Sequence, residues 1–376
     1  MGVMPSGNDT DLDCHNTESV ELNASPVSSA LMFAAGVLGN AAALLLIEVR
    51  RRKERSRNQR EYHRRTLFHV LVTALVVTDL ASTCLVSPLV QAAHALNTTL
   101  IAMTENRGAC HYFGFAMTFL SLVTLSLLLA MALERYVSIG YPYLYGRRVS
   151  TRCGYVAIPC VYALCALFCC LPFAGFGRYV QYCPGTWCFI DMNPKHSADR
   201  VFANVYATVM LLMVLATAAC NCFVSYHLVM MYRRRMVNRG SSITRSRKER
   251  RPFSLSQEVE FLILLVIMTV IFVICSLPLM IRVYINSIQR RNENKIDLIA
   301  LRFISSNAII DPWVFIILSP SRLRFLLGAL CKAGNRNSMY RTSLAKNSDA
   351  QLDASQCPNL TVTTEITHIN KSVQMI

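Results

Sequence analysis

The stretch Cys110–Tyr136, CHYFGFAMTFLSLVTLSLLLAMALERY, decides the fold. Between Cys110 and Glu134 it holds no Asp, Glu, Lys or Arg. At about 1.5 Å of helical rise per residue it is roughly 37 Å long, enough to cross a bilayer with some tilt. It begins with a cysteine, which suits an oxidising compartment, and ends on the adjacent charges Glu134 and Arg135. Charges set where hydrocarbon meets cytoplasm are costly unless partnered. The pair therefore reads either as a functional element or as an arginine anchor reaching lipid phosphates.

Six further apolar runs flank this one, at about Val27–Val49, Thr66–Leu96, Cys153–Ala174, Val201–Tyr232, Glu258–Asn286 and Asp297–Leu318. The 376 residues are 53% hydrophobic and 16% charged, where a soluble domain carries about 25% charged. A formal charge of +16 could suit nucleic acid, but the basic residues sit in short blocks between apolar runs. Those blocks follow spans one, three and five, so the N-terminus lies outside and the tail in the cytoplasm. An all-α membrane protein is predicted: a seven-transmembrane helix bundle. Residues 1–26 form an extracellular tail, and 27–331 the bundle with a short amphipathic helix at Pro320–Cys331. Residues 332–376 form a polar cytoplasmic tail expected to be disordered. With no apolar signal core ahead of it, span one is expected to act as its own insertion signal. Membrane lipids are partners of such a chain and nucleic acid is not.

Of fifteen cysteines, four fall on the extracellular side: Cys14, Cys110, Cys183 and Cys188. Four cysteines allow three pairings. Asn8, Asn23 and Asn97 head glycosylation sequons on the same side. Cys331 is a palmitoylation candidate, with a buried thiol as the plain alternative. No His/Cys cluster has zinc-ligand spacing, and neither a Walker loop nor a nucleophile elbow occurs. We expect no metal, no cofactor and no enzyme. A retinal pump needs a lysine in the seventh span, and Leu298–Leu318 has none; a transporter should show inverted repeats, and none is seen.

Asn40, Asp79, Thr124, Asn307 and Asp311 lie within spans, where each is expensive unless they face one another. They predict a shared polar core, hydrated or cation-holding, or else simple interhelical hydrogen bonding. Pro278 and Pro312 supply bends at which helices pivot. Arg302, near the outer end of span seven, is a snorkelling anchor or a counter-ion for an anionic ligand.

Taken together, Asn40, Asp79, Cys110, Glu134-Arg135-Tyr136, Pro278 and Asp311-Pro312-x-x-Phe315 resemble the rhodopsin-like (class A) G-protein-coupled receptors. The resemblance covers roughly Val27–Cys331. Span four lacks Trp, span five lacks Pro, span six has Cys-Ser-Leu-Pro at Cys275–Pro278, and span seven has Asp-Pro rather than Asn-Pro. With QYCPGTWCFI at Gln181–Ile190 and LRFISSNAIIDPWVF at Leu301–Phe315, these features resemble the prostanoid receptors. TLFHVLVTALVVTDL, FAMTF and MALERYVSIGYPYLYGRRVS look most like the members that bind prostaglandin E2 and act through the stimulatory G protein and adenylyl cyclase.

The resemblance implies a prostanoid ligand, a stimulatory heterotrimeric G protein, and arrestin and receptor kinases at the tail. It leaves prostaglandin D2 or prostacyclin as alternative ligands. It implies disulfides Cys110–Cys188 and Cys14–Cys183. A prostanoid has a carboxylate head on an apolar body, so the pocket needs one buried cation in an otherwise apolar cavity. By resemblance that cation is Arg302, with Thr186 donating a second hydrogen bond. Trp187, Met117, Ser121 and His94, which stands where the group usually has Tyr, complete the ligand set. Arg282 has no such role by analogy. The activation switch comprises Glu134, Arg135, Tyr136, Pro278, Asp311, Pro312 and Phe315. Glu258 joins it if helix six starts near that residue and lies close to Arg135.

Overall fold

In hydrocarbon no water is present to bond a backbone N–H or C=O, so each apolar run must close its own hydrogen bonds as a helix. The computed structural model describes residues 15–20, 26–57, 59–240, 252–289 and 294–318. Its helices are α1 (Pro26–Arg57), α2 (Gln59–Leu96), α3 (Gly108–Gly140), the short α4 (Pro142–Arg148), α5 (Thr151–Cys169), α6 (Ser197–Gly240), α7 (Pro252–Gln289) and α8 (Asn294–Ile317). Among the described residues seven of these are long and apolar enough to cross a membrane. Cys14, Asn8, Asn23, the segment Pro320–Cys331 and the tail 332–376 lie outside the described residues.

The helices outlast the membrane on the cytoplasmic side. The basic block after span one reads as a loop in sequence, yet α1 continues to Arg57 and α2 starts at Gln59. Arg, Lys, Glu and Gln are good helix formers, and Glu48 pairs with Arg52 one turn away at 2.9 Å. Helix α7 likewise starts at Pro252 rather than near Glu258. Proline is tolerated at the first helical position, where its missing N–H has no partner to lose. Helix α6 runs unbroken for 44 residues, as a span without proline allows.

The helices close a ring: α1 on α2, α2 on α3 and α5, α3 on α6, α6 on α7, α7 on α8, and α8 back on α1. Helix α3 also reaches α5, α7 and α8 and has the most deeply buried span. Small residues permit the closest approaches. A Cβ on Gly39 would stand 2.8 Å from Trp313 Nε1, and one on Gly36 would stand 2.9 Å from Thr83 Cγ2. Helices α6 and α7 are tied by polar pairs instead. Asn221 Nδ2 donates to Thr269 Oγ1 at 2.9 Å, Asn204 Nδ2 donates to Ser287 Oγ at 2.9 Å, and the Thr208 and Tyr284 hydroxyls meet at 2.8 Å.

The loop after span four contains an element that its sequence reading leaves as a loop. Strands β1 (Tyr179–Tyr182) and β2 (Trp187–Ile190) form an antiparallel hairpin with Gln181 opposite Cys188. Gly185, at φ +99, turns the chain and donates its amide to Tyr182 O at 2.8 Å. Residues 15–20 strap across its edge. Gln181 Nε2 and Thr99 Oγ1 both donate to Thr17 O, at 3.1 and 2.7 Å, and Thr99 N donates to Glu18 O at 3.1 Å.

Candidate functional site

The hairpin is fastened over the outer end of the bundle. Cys110 at the head of α3 is disulfide-bonded to Cys188 of β2, with the Cα atoms 5.3 Å apart. Cys183 also carries a disulfide, while its expected partner Cys14 is outside the described residues. Strand β1 lies directly on Gly114: a Cβ there would come within 2.6 Å of the Tyr179 ring. The Tyr179 hydroxyl donates to Cys169 O at 2.8 Å and sits 3.1 Å from Thr118 Oγ1. The Tyr182 hydroxyl donates to Ile190 O at 2.8 Å and accepts from Met192 N at 3.0 Å. Burial pushes both phenols up, so each stays a neutral donor. Burial also raises the carboxyl of Asp191, against the pull of the Asn193 amide on its Oδ1 and the charges of His15 and Arg178.

Beneath this roof the expected ligand residues occupy two groups. On α3, Met117 is buried, and Phe113 one turn above it meets the Trp187 ring edge-on at 5.8 Å. Ser121, one turn below, shares a 2.7 Å hydrogen bond with the Tyr206 hydroxyl. Thr186 is buried in the hairpin turn. The second group pairs half-buried His94 of α2 with Arg302 of α8, close enough for their charges to interact. No described hydrogen bond joins Arg302 to Thr186.

Arg302 is exposed rather than buried as the sequence predicts. Leu301 and Ile304 take the core-facing positions of that turn, which rotates Arg302 and Phe303 outward. The buried guanidinium is that of Arg282. Its Nε donates to Asp297 Oδ1 at 2.6 Å, and Asn286 Nδ2 donates to the same carboxylate at 3.1 Å. Arg282 is therefore already neutralised by a protein carboxylate. Among the described residues the Arg302 guanidinium has no acceptor.

The polar core assembles as two linked pairs. Thr124 Oγ1 donates to Asp79 Oδ1 at 3.2 Å, and Asn307 Nδ2 donates to Asp311 Oδ2 at 3.1 Å. Asp79 and Asp311 lie within reach of each other's charge. Asn40 Nδ2 donates to Gly36 O and to Ala308 O, both at 3.0 Å. Asn40 Oδ1, Asp79 Oδ2, Asn307 Oδ1 and Asp311 Oδ1 have no donor among the described residues. Such acceptors suit waters or a hard cation. A cavity with room for about one water lies beside them, bounded by Asp79, Asp311, Met131 and Phe315.

At the cytoplasmic end Arg135 grips Glu134 with two nitrogens, at 2.5 and 2.7 Å. Tyr145 of α4 donates its hydroxyl to Glu134 Oε1 at 2.6 Å. The guanidinium lies over the Phe68 ring at 4.7 Å and near that of Phe261 at 5.9 Å. Arg135 is thus a buried, partnered charge and not a lipid anchor. Tyr136 turns aside to pack on Phe223 at 4.4 Å. Glu258 lies on α7 three residues before Phe261; its side chain is outside the described residues. Pro278 and Pro312 lie inside α7 and α8, both of which continue through them. Sequence reasoning missed Tyr145, Phe68, Phe261, Asn286 and Asp297. Only Asp297, an acid at the mouth of a span, carried a visible signal. The others are ordinary polar or aromatic residues whose partners lie on other helices.

The described residues contain no group of three or more His, Cys, Asp or Glu fit to hold a metal. Residues 57–315 match the model of the 7 transmembrane receptor (rhodopsin family). The chain is 49% identical to the Canis lupus familiaris prostaglandin E2 receptor EP2 subtype, over 87% of this chain and 91% of that one. It is 46% identical to the Homo sapiens EP2 subtype, over 91% and 96%. Against the Mus musculus prostacyclin receptor it is 42% identical, over 85% and 74%. Squid rhodopsin superposes with a TM-score of 0.61 over 87% of this chain and 86% of its own at 14% identity, a likeness of fold. A closed seven-helix ring and EP2-subtype relatives matched over 91% and 96% of their length place the protein in the plasma membrane as a multi-pass receptor and not an enzyme. The chain belongs to the prostanoid-receptor branch of the rhodopsin-family seven-transmembrane receptors.

Proposed function

We propose that this receptor responds to prostaglandin E2 and acts through the stimulatory heterotrimeric G protein to raise cyclic AMP. The observation that carries the reading is near full-length similarity to receptors named for prostaglandin E2, at 46–49% identity in two mammals. Prostacyclin is the second ligand to test, because a receptor named for it is 42% identical.

Arg302 is the counter-ion for the ligand carboxylate. Arg282 is held by Asp297, which leaves Arg302 as the guanidinium able to take both carboxylate oxygens. Thr186 adds a hydrogen bond from the roof, and Met117, Ser121, Trp187 and His94 line the chain and ring. Cys14–Cys183 ties the N-terminal tail to the roof. Asn97, exposed at the tip after α2, carries a glycan along with Asn8 and Asn23. Ligand binding shifts the polar core of Asn40, Asp79, Thr124, Asn307 and Asp311 and the segment Pro312–Phe315, and α7 pivots at Pro278. Arg135 then leaves Glu134, which Tyr145 also holds, and Glu258, and the cleft between Arg147, Arg148 and Arg233–Arg235 admits the G-protein C-terminal helix. Such a lock need supply only about 1–2 kcal/mol to bias the two states. Arrestin and receptor kinases act on the tail, and Cys331 is palmitoylated beside the inner leaflet.

Cyclic AMP in transfected cells, titrated with prostaglandin E2, prostaglandin D2 and a prostacyclin mimic, tests the ligand and the coupling together. Prostaglandin E2 should be the most potent; no rise with any of them would overturn the reading. Arg302 is exposed, so the ligand itself must desolvate the pair; Arg302→Ala then removes one partner of it, a loss of roughly 2–5 kcal/mol. It should nearly abolish binding of the free acid and spare a neutral ester far more. If Arg302→Ala binds the acid normally, the counter-ion lies elsewhere.

A further inference from the structure

Glu134 and Arg135 are neighbours on one helix, and Tyr145 reaches them from the adjoining α4. Those bonds move with α3, so by themselves they place no restraint on α7. Two phenyl rings do reach across. Phe68 belongs to α2 and Phe261 to α7. The Arg135 guanidinium carbon lies 4.7 Å from the centroid of the first ring and 5.9 Å from that of the second. Both distances fall within the roughly 6 Å at which a cation is drawn to a ring face. The rings also pack on each other, with centroids 4.9 Å apart at 57°. His69, the next residue of α2, meets Phe261 edge-on at 5.9 Å.

Burial decides how strong such a contact is. Arg135 and Phe68 are 4% and 3% exposed, so little water screens the ring from the guanidinium, and a cation–π contact is strongest when desolvated. Leverage decides what the contact restrains. Phe261 precedes the Pro278 pivot by 17 residues, roughly 25 Å of helix. A swing of about 10° at Pro278 would carry Phe261 through roughly 4 Å, enough to take its ring out of reach of Arg135. Phe68 in turn lines the cavity beside Asp79 and Asp311, so a shift of the polar core is passed to the rings by direct contact.

We propose that Phe68 and Phe261 form an aromatic latch on Arg135 that holds α7 against α2 and α3 in the resting receptor. Phe261 is thus a positioning residue: it acts through Arg135, and what matters is the negative face of its ring rather than its bulk. The latch rests on the reading of Arg135 as the activation switch and names what α7 contributes to it. Opening α7 withdraws the Phe261 ring, leaves the guanidinium with Phe68 and Glu134, and frees it to turn toward an incoming helix.

Fluorination tests the latch, because fluorine drains negative charge from a phenyl face while nearly keeping its shape. The full-length receptor, in nanodiscs with purified stimulatory G protein, carries mono-, di- or trifluorophenylalanine at position 68. Ligand-independent nucleotide exchange should climb with each fluorine, to about two- to tenfold above wild type for the trifluoro ring. Hydrogen exchange over residues 252–261 needs neither ligand nor G protein, and should quicken in the same order. Phe261→Leu keeps apolar bulk without a ring and should raise both readouts; Phe261→Tyr keeps the ring and should bring both back toward wild type. Readouts that stay flat across the fluorine series would overturn the latch, as would Phe261→Tyr behaving like Phe261→Leu. If prostaglandin E2 fails to stimulate the wild type while hydrogen exchange still follows the fluorines, the latch stands and the assigned ligand or coupling falls.

Discussion

Tyr145 donates to Glu134 from a helix of only seven residues, and that bond joins the second cytoplasmic turn to the Glu134–Arg135 pair. A hydrogen bond to a charged group contributes about 1.5–3 kcal/mol. Tyr145→Phe keeps the ring and removes the donor, so Oε1 of the buried Glu134 loses a hydrogen bond and the carboxylate is held less firmly against Arg135. The variant should show higher ligand-independent nucleotide exchange on purified stimulatory G protein than wild type at equal receptor amount. Unchanged basal exchange would mean that Tyr145 packs α4 without restraining the switch. The two outer arginines differ at the same scale. Arg282 and Arg302 are alike in sequence, each near the outer end of a span. Only the fold gives Asp297 to one of them.

Asp191 follows strand β2, and its backbone N–H donates to Arg178 O at 2.9 Å, closing the base of the hairpin. Burial raises its pKa in the folded state above the ordinary 3.8. The native chain therefore holds this proton more tightly than the unfolded chain does. The cost of the buried charge is fully present above the raised pKa, and it fades as pH falls through that value toward 3.8. Asp191→Asn keeps an Oδ1 acceptor for the Asn193 amide and removes the charge. It should melt higher than wild type at pH 7, with the difference shrinking as the pH is lowered toward 4. Taking the difference between the two proteins cancels the titration of groups remote from Asp191. A gap that widens in acid would show that the carboxylate is stabilised here by His15 and Arg178 instead. The hairpin had a local signature, Val180 and Tyr182 alternating into a Pro-Gly turn, but its docking on Gly114 did not.

Across the whole bundle, α7 and α8 are joined at their outer ends by the buried Arg282–Asp297 pair with Asn286. Removing one partner of a buried pair costs about 3–5 kcal/mol, because it strands the other charge, whereas replacing both by apolar residues is often neutral. Asp297→Asn should therefore lower the melting temperature and surface expression. Arg282→Met with Asp297→Leu should restore both. If the double variant stays as damaged as the single, the pair contributes hydrogen-bond geometry that apolar packing does not replace.

The periodic apolar runs and the placement of basic blocks determined the seven spans, their orientation and the family. Those properties depend on solvation of each segment by lipid or water, which a segment carries within itself. The cytoplasmic extensions of α1, α2 and α7 escaped that reading because a charged helix in water has no hydropathy signal. Tertiary structure alone decided that Arg135 lies between Phe68 and Phe261, that Arg302 faces outward, and that Asp297 silences Arg282. Each of these depends on which face of one helix meets which face of another. A burial or a salt bridge between residues on different helices is a property of the packed pair, and neither segment contains it by itself.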